Sequence, residues 1–116
     1  MDLRLDASDS RELSRVTWYR ALPHASLQVG EMRCLSIDGQ SILIARTATG
    51  FFAADEMCTH EEASLCLGAL VEARVKCPLH GSWFDLRDGS ISDPPATEPL
   101  AVYPVRLLDD WLEVQF

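Results

Sequence analysis

From Val16 onward the chain alternates apolar and polar residues in short runs, each closed by turn-forming residues. Residues 16–20 are β-branched and aromatic, which predicts a strand. Residues 32–37 and 41–46 both alternate and meet across Asp38-Gly39, a dipeptide whose readiness for positive φ favours a two-residue hairpin. Thr49-Gly50 turns the chain into an apolar run at 51–54. Between Cys58 and Pro95 the chain becomes dense in Gly, Pro, Cys and His, with room only for short strands at 69–71, 75–76, 82–85 and 90–91. Residues 100–107 and 111–116 predict two further strands joined by Asp109-Asp110. No stretch sustains a helical period, and no repeat is visible. Residues 1–15 are rich in Asp, Arg and Ser, with weak apolar spacing at Leu3, Leu5 and Leu13, and predict an N-terminal extension. The expected architecture is one all-β domain over residues 16–116, with flanking strands as scaffold and a loop-rich insertion at about 56–95 carrying the chemistry.

Composition narrows the possible functions. A length of 116 residues suits one domain. Ten basic against 18 acidic residues leave a net charge of −8, which disfavours nucleic acid as a partner, since phosphate contacts need a basic surface. An acidic surface suits steered encounters with basic patches on a protein partner, or simply solubility. No apolar run approaches the ~18 residues that mark a membrane span, and the polar start lacks the apolar stretch of a secretory signal. No membrane association and a cytoplasmic location are expected. Four cysteines in a short chain can signal a disulfide framework. The close spacing of two of them to histidines, and the missing signal, argue against that reading.

The candidate chemistry lies in two pairs, Cys58-Thr59-His60 and Cys77-Pro78-Leu79-His80. Each offers one thiolate and one imidazole. Thiolates bind iron strongly, and imidazoles can replace two of them on one iron of a two-iron cluster. Ligands two apart, as in Cys58 and His60, point the same way from an extended loop. In the second pair Pro78 fixes φ and Gly81 follows directly, both helping a tight turn to wrap a compact core. A zinc ion held by the same two cysteines and two histidines is the rival, but the Cys-x-His spacing and the missing helix depart from a zinc finger.

The run from Cys58-Thr59-His60 through Ala63-Ser64-Leu65 and Gly68, then Val75-Lys76-Cys77-Pro78-Leu79-His80-Gly81-Ser82-Trp83-Phe84-Asp85, closely resembles the Rieske family. The likeness continues through Gly89, Pro94-Pro95-Ala96, Pro99-Leu100 and Tyr103. The resemblance implies a Rieske fold of small antiparallel sheets and one [2Fe–2S] cluster at the tip of an inserted cluster-binding subdomain. It implies Cys58 and Cys77 on the inner iron, and His60 and His80 on the outer iron near the surface, where they would pass the electron. High-potential members carry two further cysteines that bridge the cluster loops; those positions are Ala63 and Leu79 here. They also place a Ser and a Tyr after the second histidine as donors towards sulfur. This chain keeps Ser82 but has Phe84 in the Tyr position. Fewer hydrogen bonds to sulfur stabilise the reduced form less, so the midpoint is expected in the lower part of the roughly −150 to +300 mV Rieske window. It should fall as pH rises through the titration of the histidine ligands in the oxidised form.

That pattern looks like the ferredoxin component of a bacterial ring-hydroxylating dioxygenase system, used in aromatic hydrocarbon catabolism. Such a chain is an electron carrier and not itself an enzyme. It takes electrons from a flavin-dependent reductase, delivers them to a terminal Rieske oxygenase, and is expected to be a monomer. The alternative within the resemblance is the small subunit of an assimilatory nitrite reductase. Several side expectations complete the reading. Pro78, Leu79, Pro94 and Pro95 should cover the cluster, and Glu61 and Glu62 should lie near the tip. Cys34 is expected as a small core residue, Cys66 as a non-ligand in the first loop, and His24 as exposed. Trp18, Trp83 and Trp111 are expected to fill the core.

Overall fold

The computed structural model describes residues 17–60, 62–79 and 81–116. The expected extension at 1–15, Val16, Glu61 and the candidate ligand His80 therefore lie outside the described residues. Those described form eleven strands: β1 (Trp18–Pro23), β2 (Met32–Ile37), β3 (Gln40–Thr47), β4 (Gly50–Asp55), β5 (Ala69–Val71), β6 (Arg74–Lys76), β7 (Trp83–Asp85), β8 (Ile91–Asp93), β9 (Val102–Tyr103), β10 (Val105–Leu108) and β11 (Trp111–Gln115). They assemble into three antiparallel sheets ordered β1-β11-β10, β2-β3-β4-β9 and β5-β6-β7-β8. The all-β expectation holds, and the hairpin at Asp38-Gly39 forms with both residues at positive φ, 50° and 82°.

The central sheet is the organiser. Residues 42–45 read Ile-Leu-Ile-Ala without alternation, because β3 is buried on both faces. Ile42 and Ile44 pack with Leu22, Leu112 and Val114 of the β1-β11-β10 sheet. Leu43 and Ala45 point the other way, into a core with Val75, Cys77 and Phe84 of the third sheet. β4 repeats the division, Ala53 facing the first core and Ala54 the second. One sheet thus carries a structural core on one face and the foundation of the candidate ligand loops on the other.

Several expectations change. The single strand expected at 100–107 is two strands, β9 on β4 and β10 on β11, parted at Pro104 where the chain moves between sheets. Two 3-10 turns, His24–Ser26 and Leu65–Leu67, are too short to leave a period in the sequence. His24 is half-buried, its Nε2 lying 3.2 Å from the Asp109 carbonyl oxygen. The three tryptophans do not fill the core. All are half-exposed and lie beneath cations: Trp18 under Arg106 at 4.2 Å, Trp83 under Arg74 at 4.8 Å, and Trp111 under Arg20 at 5.1 Å. A cation over an indole face is favourable while the ring edge stays wet, which suits the rim of small sheets. Finally, Cys34 and Cys66 form a disulfide, against the expectation of no disulfide framework with Cys34 as a small core residue; β2 and the second 3-10 turn bring their Cα atoms to 6.2 Å, within bridging range.

Tyr103 ties β9 to the end of β4, its hydroxyl donating to Asp55 Oδ1 at 2.6 Å. Burial, then the Asp55 carboxylate, pushes the Tyr103 phenol up to about 12. Tyr19, bonded to Asp38, is also raised above its usual value. A raised phenol pKa means that the fold favours the neutral form. This stabilisation is complete below the unfolded pKa near 10 and is lost as pH rises through about 12. The chain has two tyrosines, so tyrosinate absorbance should rise only above pH ~10 in the native protein and earlier in denaturant. A native titration centred at or below that value would contradict the Tyr103–Asp55 bond.

Candidate metal centre

The first candidate ligand loop leaves β4 at Asp55 and is closed by a short ladder. Leu65 N–H donates to the Glu56 carbonyl at 2.8 Å, Cys58 N–H donates to the Ala63 carbonyl at 2.9 Å, and Met57 bridges Ser64. Ser64 Oγ donates to Glu56 Oε2 at 2.6 Å and accepts from Cys66 N–H, capping the 3-10 turn that follows. Thr59 Oγ1 donates to the Glu98 carbonyl at 2.8 Å, anchoring the tip to the segment before β9. Cys58 is 6% exposed, whereas His60, two residues on, is exposed.

The second loop hangs between β6 and β7. Cys77 N–H donates to the Ser82 carbonyl at 2.8 Å, and Gly81 takes the left-handed φ of 81° that the tight turn requires. Cys77 is 1% exposed. Ser82 is buried, and its Oγ accepts from Ala96 N–H at 2.9 Å, which pins the Pro94-Pro95 segment against this loop and leaves the hydroxyl hydrogen to donate elsewhere. Below the loop, Arg87 grips Asp85 at 2.6 Å and holds its carboxyl below the usual carboxylate range.

The two loops meet backbone to backbone. Gly68 ends the 3-10 turn after the first loop, and a Cβ there would fall 1.7 Å from the carbonyl oxygen of Lys76, the residue before Cys77. In the sequence Gly68 marks a turn and belongs to the motif; its steric role emerges from the fold. The candidate thiols share one core with Ala63, Leu65, Val75 and Phe84, and both remain outside any disulfide. Glu62, Pro78, Leu79, Pro94 and Pro95 are exposed. Cys77 also borders an open hollow of about 740 Å³ with Leu67 and Leu79, which Cys58 and His60 do not line.

Chemically the arrangement is graded. Two soft sulfur donors sit on the dry side, and an imidazole sits on the wet side. Among the described residues no three metal-binding side chains converge on one point. The mixed two-iron cluster asks only two protein ligands of each iron, so a donor set divided between a buried and an exposed side fits that group.

The fold and the loops define a class: the chain belongs to the Rieske [2Fe-2S] domain family, which residues 17–104 match. It is similar to the biphenyl dioxygenase ferredoxin subunit of Pseudomonas sp. (strain KKS102), 37% identical over 93 residues that span 79% of this chain and 85% of that one. Among solved structures it is similar to the ferredoxin of carbazole 1,9a-dioxygenase from Nocardioides aromaticivorans IC177, at a TM-score of 0.81 and 27% identity over 84% of this chain and 96% of that one. In a complex of reduced oxygenase and oxidized ferredoxin of a carbazole 1,9a-dioxygenase, the matching chain gives 0.79 and 30%, with 84% and 91% covered. The NADH-dependent nitrite reductase small subunit of Mycobacterium tuberculosis gives 0.78 at 23% identity, with 87% and 96% covered, a likeness of fold alone.

Proposed function

We propose that this chain is a one-electron carrier that takes electrons from a flavin-dependent reductase and passes them to a terminal Rieske oxygenase. Cys58, His60, Cys77 and His80 would hold its single [2Fe–2S] cluster. The observation that carries the ligand assignment is the contrast between Cys58 and Cys77, buried in one core, and His60, exposed two residues from Cys58. The cluster, when bound, supplies a centre that gains and loses one electron. The residues of the chain supply the rest. The buried thiols keep the sulfur side dry, and the exposed imidazole gives a partner a short approach. Phe84, wholly buried behind the loops, offers no hydroxyl to that region.

The relatives support the oxygenase partner. The biphenyl relative is a dioxygenase ferredoxin subunit, and a similar chain occurs in a complex of oxygenase and ferredoxin. The nitrite reductase subunit is the weaker reading, since its likeness is one of fold at low identity. We assign residues 1–15 to an N-terminal extension, 16–116 to the Rieske domain and about 56–95 to its cluster-binding subdomain, and read the carrier as a cytoplasmic monomer. Among the described residues no helix is long and apolar enough to cross a membrane.

The test is direct. Iron and acid-labile sulfide should be present in equal amounts, and a redox titration should place the midpoint in the lower part of the roughly −150 to +300 mV window. A midpoint near the top of that window would contradict the low-potential reading, and zinc in place of iron and sulfide would refute the cluster assignment. The carrier role fails if the chain cannot shuttle electrons between the two proteins at catalytic concentration and instead co-purifies with a large flavoprotein.

A further inference from the structure

The Cys34–Cys66 disulfide lies outside the candidate ligand set, yet it holds the structure around it. Cys34 is on β2, the outer strand of the central sheet. Cys66 is in the 3-10 turn Leu65–Leu67, directly after the backbone ladder that closes the first ligand loop. Both are half-buried and both pack against the core that contains Cys58 and Cys77. The bond spans 32 residues. It is the covalent tie between the scaffold sheet and the descending arm of the loop bearing Cys58 and His60. Hydrogen bonds among Glu56, Ser64 and Leu65 fix the arm locally, and at the start of the loop Glu56 N–H donates to the Ser41 carbonyl on β3 at 3.1 Å. The disulfide adds a covalent tie from the far arm of that loop to the outer strand of the sheet.

We propose that Cys34–Cys66 is a thiol–disulfide latch on the first ligand loop, closed when oxidised and holding the cluster, open when reduced and releasing it faster. The inference rests on the cluster assignment proposed above for its final output, but not for the latch itself. The reaction needs a dithiol. Its thiolate attacks one sulfur of the bond, forming a mixed disulfide and expelling the other cysteine as thiolate. The second thiol of the reagent then attacks the mixed disulfide, so that Cys34 and Cys66 end as thiols and the dithiol as a cyclic disulfide. Two electrons and two protons move from reagent to protein. A half-buried bond at a sheet edge is open to such attack. In a cytoplasmic carrier it would meet cellular dithiols continually, the setting in which disulfides are rare and usually serve transiently in catalysis or redox sensing.

The holoprotein is equilibrated without oxygen in graded mixtures of oxidised and reduced dithiothreitol. Alkylation with mass detection then counts thiols, hydrogen exchange reads residues 56–67, and bleaching by an iron chelator reads cluster retention. The expected result is two thiols appearing together, faster exchange confined to the first loop and its turn, and bleaching faster by about tenfold. The Cys34→Ala/Cys66→Ala double variant should match the reduced wild type in exchange and bleaching, and should not respond further to the reagent. Should that variant fail to fold, the oxidised and reduced wild type make the same comparison. Three results would overturn the latch: both cysteines alkylated under every oxidant, exchange at 56–67 unchanged by reduction, or a double variant that still responds to dithiothreitol through its cluster. A protein that shows the thiol and exchange response but carries no cluster supports the latch and defeats the cluster assignment instead.

Discussion

Cys77→Ser should yield a folded protein without equimolar iron and sulfide and without the visible absorption and electron paramagnetic resonance of a [2Fe–2S] centre. Serine nearly matches cysteine in volume, so the core with Val75 and Phe84 should survive. A hydroxyl, however, stays protonated where a thiol yields a thiolate, and iron–sulfur clusters are held by thiolates. Because Cys77 is 1% exposed, no water or buffer thiol has easy access to replace it. The apoprotein should also melt lower, since whatever binds only the native state stabilises it by mass action. The opposite exchange, His60→Cys, separates ligation from packing. His60 is exposed, so the substitution disturbs little of the core. A third thiolate would make the cluster more negative and move the midpoint from the Rieske window towards the roughly −400 mV of all-cysteine plant-type clusters. A Cys77→Ser protein with full iron and sulfide, or a His60→Cys protein with an unmoved midpoint, would remove these residues from the ligand set.

Gly68→Ala is expected to be strongly destabilising. The added Cβ would fall 1.7 Å from the Lys76 carbonyl oxygen and 2.9 Å from its carbon. Both are backbone atoms, so no side chain can swing aside. Relief requires the turn after the first loop to part from β6, directly before Cys77. Forced overpacking of this kind costs about 3 kcal/mol, a large share of the ~5–15 kcal/mol by which a domain is stable. The melting temperature should drop by about 10–15 °C. Gly39→Ala is the control. Its φ of 82° strains an alanine, but nothing lies within 4 Å of the new Cβ. That strain alone costs roughly 1–2 kcal/mol. Urea or thermal melts of the two variants side by side decide the matter: equal losses would mean that the loops do not meet at Gly68.

Both predictions depend on information of different kinds. Cys77 was visible in the sequence because its signal is local. A cysteine, a proline, a histidine and a glycine within five residues specify a turn and a donor set together. The same holds for the Asp38-Gly39 hairpin, where two residues carry both the turn type and the register of β2 on β3. Gly68 was legible as a turn and motif residue but not for its close approach, since that depends on a carbonyl eight residues away across a strand pairing. The tryptophans misled for a related reason. Their bulk argues for the interior, and only the neighbouring strands show that arginines lie over their faces.

By itself the sequence determined that the chain is β, where its hairpins turn, and which short pairs of thiol and imidazole are candidates for metal. Each of these is a property of residues within a few positions of one another, where backbone sterics and side-chain period act directly. Tertiary structure alone decided that β3 faces two cores, that Pro104 moves the chain between sheets, and that Cys34 reaches Cys66 across 32 residues. Those outcomes depend on how sheets stack, and stacking is set by the summed burial of many remote side chains rather than by any local pattern.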